Sequence, residues 1–344
     1  MFEIIHAGED GRWDRIVKTF PDYDVYYLSG YIRAFELHGD GTPLLLYYES
    51  EGLRAVCSVF SRPIEDAPGY TDIITPYGYG GFIFDGDRTE ENMERFKEAF
   101  FEAMKREKVV SAFFRYHPLS CNADAVRSIF PITDLGPTID MGLQDAETIA
   151  QNLSRQNRNK IRKAQKNGVT IGWGKGMPLF ERFMEVYNAT MDRDHATPYY
   201  YFGREFYESI DRDLNDHYRI FYAEYEGQII AMSIILFAGK WVHYHLSGSL
   251  TEYRHLAPTN LLLYEVALWA AGEGYERFHL GGGVGAAEDD LYKFKEGFNR
   301  TGANRFCTGK IIFDPAKYDA LVAARCEQDA AFDRESHFFP LYRA

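Results

Sequence analysis

The chain lacks the marks of several large protein classes. Its four cysteines, Cys57, Cys121, Cys307 and Cys326, form no CxxC pair and match no zinc-ligand spacing. No metal site or disulfide framework is expected from them, and free thiols in a reducing compartment are. The longest apolar stretch, residues 229–239, falls short of the roughly 20 residues a membrane-spanning helix needs. The opening Met1-Phe2-Glu3-Ile4-Ile5-His6 has no basic region and no long apolar run. No signal peptide is therefore expected, and the reading is cytoplasmic. Positive charge is scarce: 38 Lys and Arg stand against 51 Asp and Glu, a net charge of −13. That argues against extensive wrapping of nucleic acid and against DNA as a partner, while leaving room for a local basic patch. No low-complexity linker is present. Ser247-Gly248-Ser249 makes no nucleophile elbow, and no Ser–His–Asp order is recognisable.

At 344 residues the length fits two domains. Short strands alternate with helical stretches, an α/β pattern. In the first half, residues 12–19 and 29–38 read as helices, and 44–49 with 53–60 as a hairpin across Ser50-Glu51-Gly52. A loop rich in Tyr and Gly, residues 75–82, precedes a helix over 88–108. Asp87 is placed as its cap, with Glu90 three residues on. Met93, Phe96, Phe100 and Met104 fall on one face of that helix. A strand over 109–116 and a helix near 122–130 follow.

The second half opens with a single helix over 147–167, stopped by Gly168. A strand over 169–173 and helices over 179–192 and 204–214 lead into a three-stranded meander, 218–225, 228–237 and 241–247. A helix over 258–273, a strand over 277–280, a helix over 288–298, a strand over 305–313 and a helix over 315–328 complete the chain. The order helix, hairpin or meander, helix, strand occurs twice. The boundary is expected near residues 136–144, where a Gly-Pro turn interrupts the pattern. The expected domains are 1–140, with 314–344 returning to it, and 141–313.

Five places carry candidate chemistry. Arg155, Arg158, Arg162 and Lys166 recur at helical spacing and form one basic stripe. Leu153, Ile161 and Ala164 lie opposite and are expected to face the core. The stripe fits phosphates of a nucleotide, a coenzyme A, a lipid diphosphate or a tRNA, or else a solvated helix face. In the run Leu280-Gly281-Gly282-Gly283-Val284-Gly285, Gly281-x-Gly283-x-x-Ala286 formally fits a relaxed dinucleotide fingerprint. The acids Glu288, Asp289 and Asp290 crowd a pyrophosphate there, and no ribose-binding acid follows at a second strand. A glycine-rich strand end where backbone meets ligand is the better reading. Lys295, between Phe294 and Phe298, is either aimed at a site or an ordinary surface lysine.

The loop before the helix at Pro258 presents free N–H groups, which suit an anion. His243 and His245 alternate on a strand and are expected to share a face, lining a pocket or packing together.

The segment from Arg155 to Val169 resembles the signature of the FemABX aminoacyltransferases, in which a basic helix ends in Gly-Val before a strand. The meander, Pro258-Thr259-Asn260-Leu261-Leu262, Gly274-Tyr275, Leu280-Gly281-Gly282 and Phe294-Lys295-x-Gly297-Phe298 follow in that family's order. Pro76-Tyr77-Gly78-Tyr79-Gly80-Gly81 resembles its first-domain loop. The resemblance implies an α/β fold of two tandem GNAT-like domains, each a mixed, mostly antiparallel sheet flanked by helices. It implies transfer of an amino acid from aminoacyl-tRNA to an amine on a peptidoglycan precursor, with the donor as co-substrate and no permanently bound cofactor. Lys295 would meet the oxyanion or the donor's terminal phosphate. Arg193, in Met191-Asp192-Arg193-Asp194, would bind substrate, and Tyr77 and Tyr79 would contact the acceptor. A coenzyme A-dependent N-acyltransferase is one alternative, although residues 253–260 lack the glycines of a coenzyme A loop. A non-catalytic GNAT-like binding module is the other.

Overall fold

The computed structural model describes residues 1–344, except the side chain of Asp10. In chain order its elements begin with β1 (Phe2–His6), α1 (Asp10–Val17), α2 (Ser29–His38), β2 (Thr42–Ser50), β3 (Leu53–Pro63), β4 (Thr71–Ile74) and β5 (Ile83–Gly86). They continue with α3 (Glu90–Arg106), β6 (Val109–Arg115), α4 (Asn122–Val126), β7 (Ile132–Gly142), α5 (Ala146–Asn152), α6 (Arg155–Lys166), β8 (Thr170–Gly174) and α7 (Met177–Arg193). Then come α8 (Arg204–Asp213), β9 (Tyr218–Tyr225), β10 (Gln228–Ala238), β11 (Trp241–Ser249), α9 (Pro258–Gly272), β12 (Arg277–Gly281), α10 (Asp290–Glu296), β13 (Ala303–Ile312) and α11 (Pro315–Gln328).

The chain divides into two compact units. One is Met1–Leu135 with Phe306–Ala344, the other Gly136–Arg305. Each builds its sheet by the same rule. In the first, β1, β2, β3 and β4 pair antiparallel in order, β4 pairs β6 in parallel, and β6 pairs antiparallel with the end of β13. In the second, β8, β9, β10 and β11 pair antiparallel, β11 pairs β12 in parallel, and β12 pairs antiparallel with the end of β7. A helix, α3 or α9, fills each parallel crossover, as parallel neighbours require. The first unit takes its sixth strand from the chain beyond the second unit, and the second unit takes its own from the strand that opens it. This is the mixed, mostly antiparallel α/β architecture expected from the sequence.

Local rules set the elements. In the first unit Met93, Phe96, Phe100 and Met104 are all buried against Phe82 and Phe114. Each such side chain contributes roughly 2 kcal/mol by leaving water. Helix α3 starts at Glu90 and is capped by Thr89, whose hydroxyl accepts from Asn92 N at 3.2 Å. Asp87 is not the cap; its carbonyl accepts from the Asn92 side chain at 2.8 Å. The second half does not open with one helix. Leu153 is extended, and Ser154 begins a new helix by accepting from Asn157 N at 3.1 Å. Gly136-Pro137 does not interrupt the pattern either, because β7 runs through it.

The last segment of the first unit is fastened by a buried carboxylate. Asp72 accepts from Arg62 at 2.7 Å, Arg343 at 2.6 Å and the Tyr342 hydroxyl at 3.0 Å. Among the described residues no helix is long and apolar enough to cross a membrane.

Candidate functional site

In the second unit β11 and β12 are paired only from Trp241 with Arg277 to His243 with His279. Beyond that, β11 follows β10 to Ser249, while β12 ends at Gly281. The sheet therefore opens between two parallel neighbours, and the β12 end leads into the glycine loop.

That loop is tightly specified. Gly281 has φ +81°, in the left-handed region where glycine costs least. A Cβ on Gly283 would lie 2.1 Å from the Ala287 carbonyl and 2.3 Å from Asp289 Oδ1, so no larger residue fits. Asp289 caps α10 by accepting from Tyr292 N at 2.8 Å, and its other oxygen accepts from Val284 N at 3.0 Å. Those bonds hold its pKa below the ordinary carboxylate value, with Lys295 adding to the effect.

Lys295 is not a surface lysine: it is 8% exposed. Phe298 is buried and Phe294 packs against the same core, their rings edge to face at 5.4 Å. The Lys295 ammonium donates to the Gly282 carbonyl at 2.6 Å. Burial disfavours its charge and pulls its pKa down to about 8, with Asp289 opposing that shift. At neutral pH the group is still mostly an ammonium. The structure thus brings Lys295, Gly281 and Gly282 together at the end of β12.

Helix α6 meets this place at its start. Ser154 N donates to the Gly297 carbonyl at 2.8 Å. Asn157, 4% exposed, accepts from the Asn260 side chain at 3.2 Å and lies against Gly297, where a Cβ would come within 2.8 Å of it. Asn260 is in the first turn of α9, whose start has no side-chain cap. Ile161 and Ala164 are buried as expected, and so is Leu153. The basic stripe lies on the opposite side of α6. Arg155, Arg162 and Lys166 are exposed, whereas Arg158 donates to carbonyls at the end of α5, including Leu153 and, at 3.3 Å, Gln151. The stripe is therefore largely in water, whereas the Lys295 ammonium is in the interior.

Other candidates lie elsewhere. Arg193 closes α7, pairing with Asp194 at 2.8 Å and donating to the Ser249 carbonyl at 3.1 Å, past the opening in the sheet. His243 is buried, its ring 5.7 Å from that of His279. His245 sits on a bulge: Leu246 pairs with Ile234 and Tyr244 with Ile235, leaving His245 without a register partner. Simple alternation with His243 is therefore broken. Lack of solvent pushes the His245 pKa down to about 3, with His243 adding to the shift, so its ring is neutral.

Tyr77 and Tyr79 belong to the first unit. Tyr77 stacks on Phe35, and its carbonyl accepts from the Tyr31 hydroxyl at 2.7 Å. Tyr79 packs edge-on against Tyr26 and His117, and burial raises its hydroxyl pKa. The loop is pinned by Asn122, which donates to the Gly80 carbonyl at 2.8 Å. Beside it His117 and Asp24 form a wholly buried pair at 2.7 Å.

Sequence reasoning missed Asp289, Asn157 and Asn260. Asp289 had a signal, an acid three residues before Tyr292 at a helix start. Asn157 and Asn260 had none, since their pairing joins positions far apart in the chain.

Residues 151–296 match the family model described as the acetyltransferase (GNAT) domain. The UDP-N-acetylmuramoylpentapeptide-lysine N(6)-alanyltransferase of Weissella viridescens is 30% identical to this chain over 183 residues, 52% of this chain and 53% of that protein. The chain thus spans about half the length of that curated relative. The crystal structure of FemX has the same fold, with a TM-score of 0.71 at 15% identity over 92% of this chain and 99% of FemX. The C-terminal domain of a putative lysylphosphatidylglycerol synthetase from Agrobacterium fabrum follows at 0.57, with 16% identity over 94% and 96%. These bear out the resemblance to Fem-type proteins and the GNAT-like fold read from the sequence.

Proposed function

We propose that this chain is a Fem-type aminoacyltransferase. It moves an amino acid from the ester of an aminoacyl-tRNA to the amine of a peptidoglycan precursor. The acceptor we favour is the lysine side chain of a UDP-N-acetylmuramoyl pentapeptide, the group named in the alanyltransferase of Weissella viridescens. A nucleotide-linked acceptor fits a reaction in the cytoplasm.

The observation that carries the reading is the buried Lys295 ammonium at the open end of β12. In the reaction a neutral amine attacks the ester carbonyl. The C–N bond forms, the carbonyl oxygen becomes an oxyanion, and the C–O bond to the ribose then breaks. The proton lost by the amine ends on the departing ribose oxygen. The protein supplies no nucleophile; it aligns two substrates and stabilises the oxyanion. A cation in a water-poor site does this far better than one in water. Lys295 has that role, and Gly281 and Gly282 let the donor approach the backbone. Arg155, Arg162 and Lys166 meet donor phosphates, whereas Arg158 is already engaged with α5. Arg193 and the two histidines line the substrate path in the second unit. Tyr77 and Tyr79 serve the acceptor.

One observation favours a second reading. The family-model match is to an acetyltransferase domain, and α9 begins without a side-chain cap, as an anion subsite for coenzyme A would require. Two experiments decide. Purified protein is given labelled alanyl-tRNA and UDP-N-acetylmuramoyl pentapeptide, and product is followed by mass. Acetyl-CoA is titrated calorimetrically. Alanyl product without acetyl-CoA binding supports the first reading; acetyl-CoA binding without alanyl product replaces it with the second.

A further inference from the structure

Lys295 lies on a seven-residue helix whose start and whose preceding loop are both fixed by one side chain. One Asp289 oxygen caps α10 at Tyr292 N, and the other holds Val284 N in the loop. Immediately before Val284 come Gly282, whose carbonyl accepts from Lys295, and Gly283, which has room for a hydrogen only. The loop is also pressed from below: a Cβ on Gly282 would lie 2.8 Å from the Pro137 carbonyl, and one on Gly136 2.2 Å from the Ala286 carbonyl. Small displacements here move the Gly282 carbonyl and the lysine together.

We propose that Asp289 is a positioning residue for the transfer. It fixes the glycine loop against α10, so that Gly282 holds the Lys295 ammonium at the reacting carbonyl, and it is the counter-charge of that ammonium. This rests on the aminoacyltransferase reading, because Asp289 acts only through Lys295. Geometry supports it from two sides. A simple helix cap needs one carboxylate oxygen, yet both are used, and the second reaches back to the loop rather than to the helix. The Lys295 ammonium meets the Gly282 carbonyl at the β12 end, and two residues on, Gly297 is packed by the neutral Ser154 and Asn157 from the start of α6. Burial disfavours the lysine's charge, and the charge of Asp289 opposes that. An uncompensated buried ammonium is costly and tends to lose its proton.

The test uses Asp289→Asn, which keeps the size and one acceptor but removes the charge and the second acceptor. Lys295 is titrated by NMR in protein carrying 13C-labelled lysine, with Lys295→Arg to assign the signal. Transfer from alanyl-tRNA to UDP-N-acetylmuramoyl pentapeptide is measured on the same samples. The expected result is titration of Lys295 at lower pH than in the unsubstituted protein. With it, kcat falls roughly 10- to 100-fold while both KM values stay within about threefold. An unchanged titration overturns the proposal, whether or not kcat falls, since any loss would then be structural. If Asp289→Asn does not fold, Asp289→Ser keeps the Tyr292 cap and is read the same way. If the unsubstituted protein transfers nothing, the aminoacyltransferase reading fails on its own, and the titration still decides whether Asp289 governs the lysine.

Discussion

Two cationic regions of the second unit follow opposite rules. Helix α6 carries Arg155, Arg158, Lys160, Arg162, Lys163 and Lys166 with no acid among them, and its stripe is in water. Helix α10 offers Lys295 inside, on one carbonyl and near one carboxylate. Charges in water are screened within about 10 Å. The lysine held out of water has its pKa moved to about 8 and its direction fixed. The number of cations therefore says where an anion is attracted. Burial says where one is recognised and charge is handled.

The largest effect expected from breaking this contrast is at Gly283. Alanine there drives its Cβ against the Ala287 carbonyl and Asp289, so the loop must move. Transfer should fall on the order of 100-fold, with donor binding by α6 intact. Steady-state kinetics and tRNA-binding isotherms check this; a KM effect without a kcat effect would assign the loop to donor binding.

Next is a stability effect of unusual sign. The Lys295 pKa is depressed from 10.5 to about 8, so its charged form is disfavoured in the folded state. Below pH 8 both folded and unfolded chains are protonated, and the folded state bears the full penalty. Between about 8 and 10.5 the unfolded state holds more protons, so stability from this group rises with pH. Lys295→Met should thus stabilise the fold at pH 7 by about 1–3 kcal/mol, and the gain should shrink to nothing by pH 10.5. Urea melts at three pH values measure this; a destabilised variant at pH 7 would show that the ammonium is better solvated than its burial implies. The same pKa sets an alkaline limit on activity. Transfer per enzyme should decline above pH 8 as the cation is lost, and a rate still climbing at pH 9.5 would remove the cation from the chemistry.

The smallest effects belong to the stripe. Arg155→Ala, Arg162→Ala and Lys166→Ala should each change stability by no more than about 0.5 kcal/mol. Together they should flatten the salt dependence of donor binding, by roughly one unit of log–log slope for each donor phosphate that the stripe neutralises. An unchanged salt slope would make the stripe a solvated face and nothing more.

Much of this fold is legible in the sequence because its signals are local. The meander at Tyr218–Ser249, helix α9 behind Pro258 and helix α11 behind Pro315 follow from periodicity and helix-start chemistry. Strand β7 was hidden because Gly136-Pro137 imitates a turn; its pairing with β12 overrides that preference. The break between α5 and α6 was hidden because Ser154 fits a helical pattern as well as it fits a cap. Within the site, the glycines and Lys295 were visible as types in a pattern. The burial of Lys295 was not, since it depends on a loop folding over it, and Asp289 looked like an obstacle to a ligand when it is the loop's fastening. The bulge at His245 is likewise a tertiary event with no local signature.

The most direct measurement is single-turnover transfer by Lys295→Ala at pH 7, from alanyl-tRNA to UDP-N-acetylmuramoyl pentapeptide, with thermal unfolding recorded on the same protein. A rate reduced at least about 100-fold in a protein that melts no lower than the unsubstituted one is the predicted result. A rate equal to that of the unsubstituted protein would contradict the account, and the reacting cation would have to be sought elsewhere in the molecule.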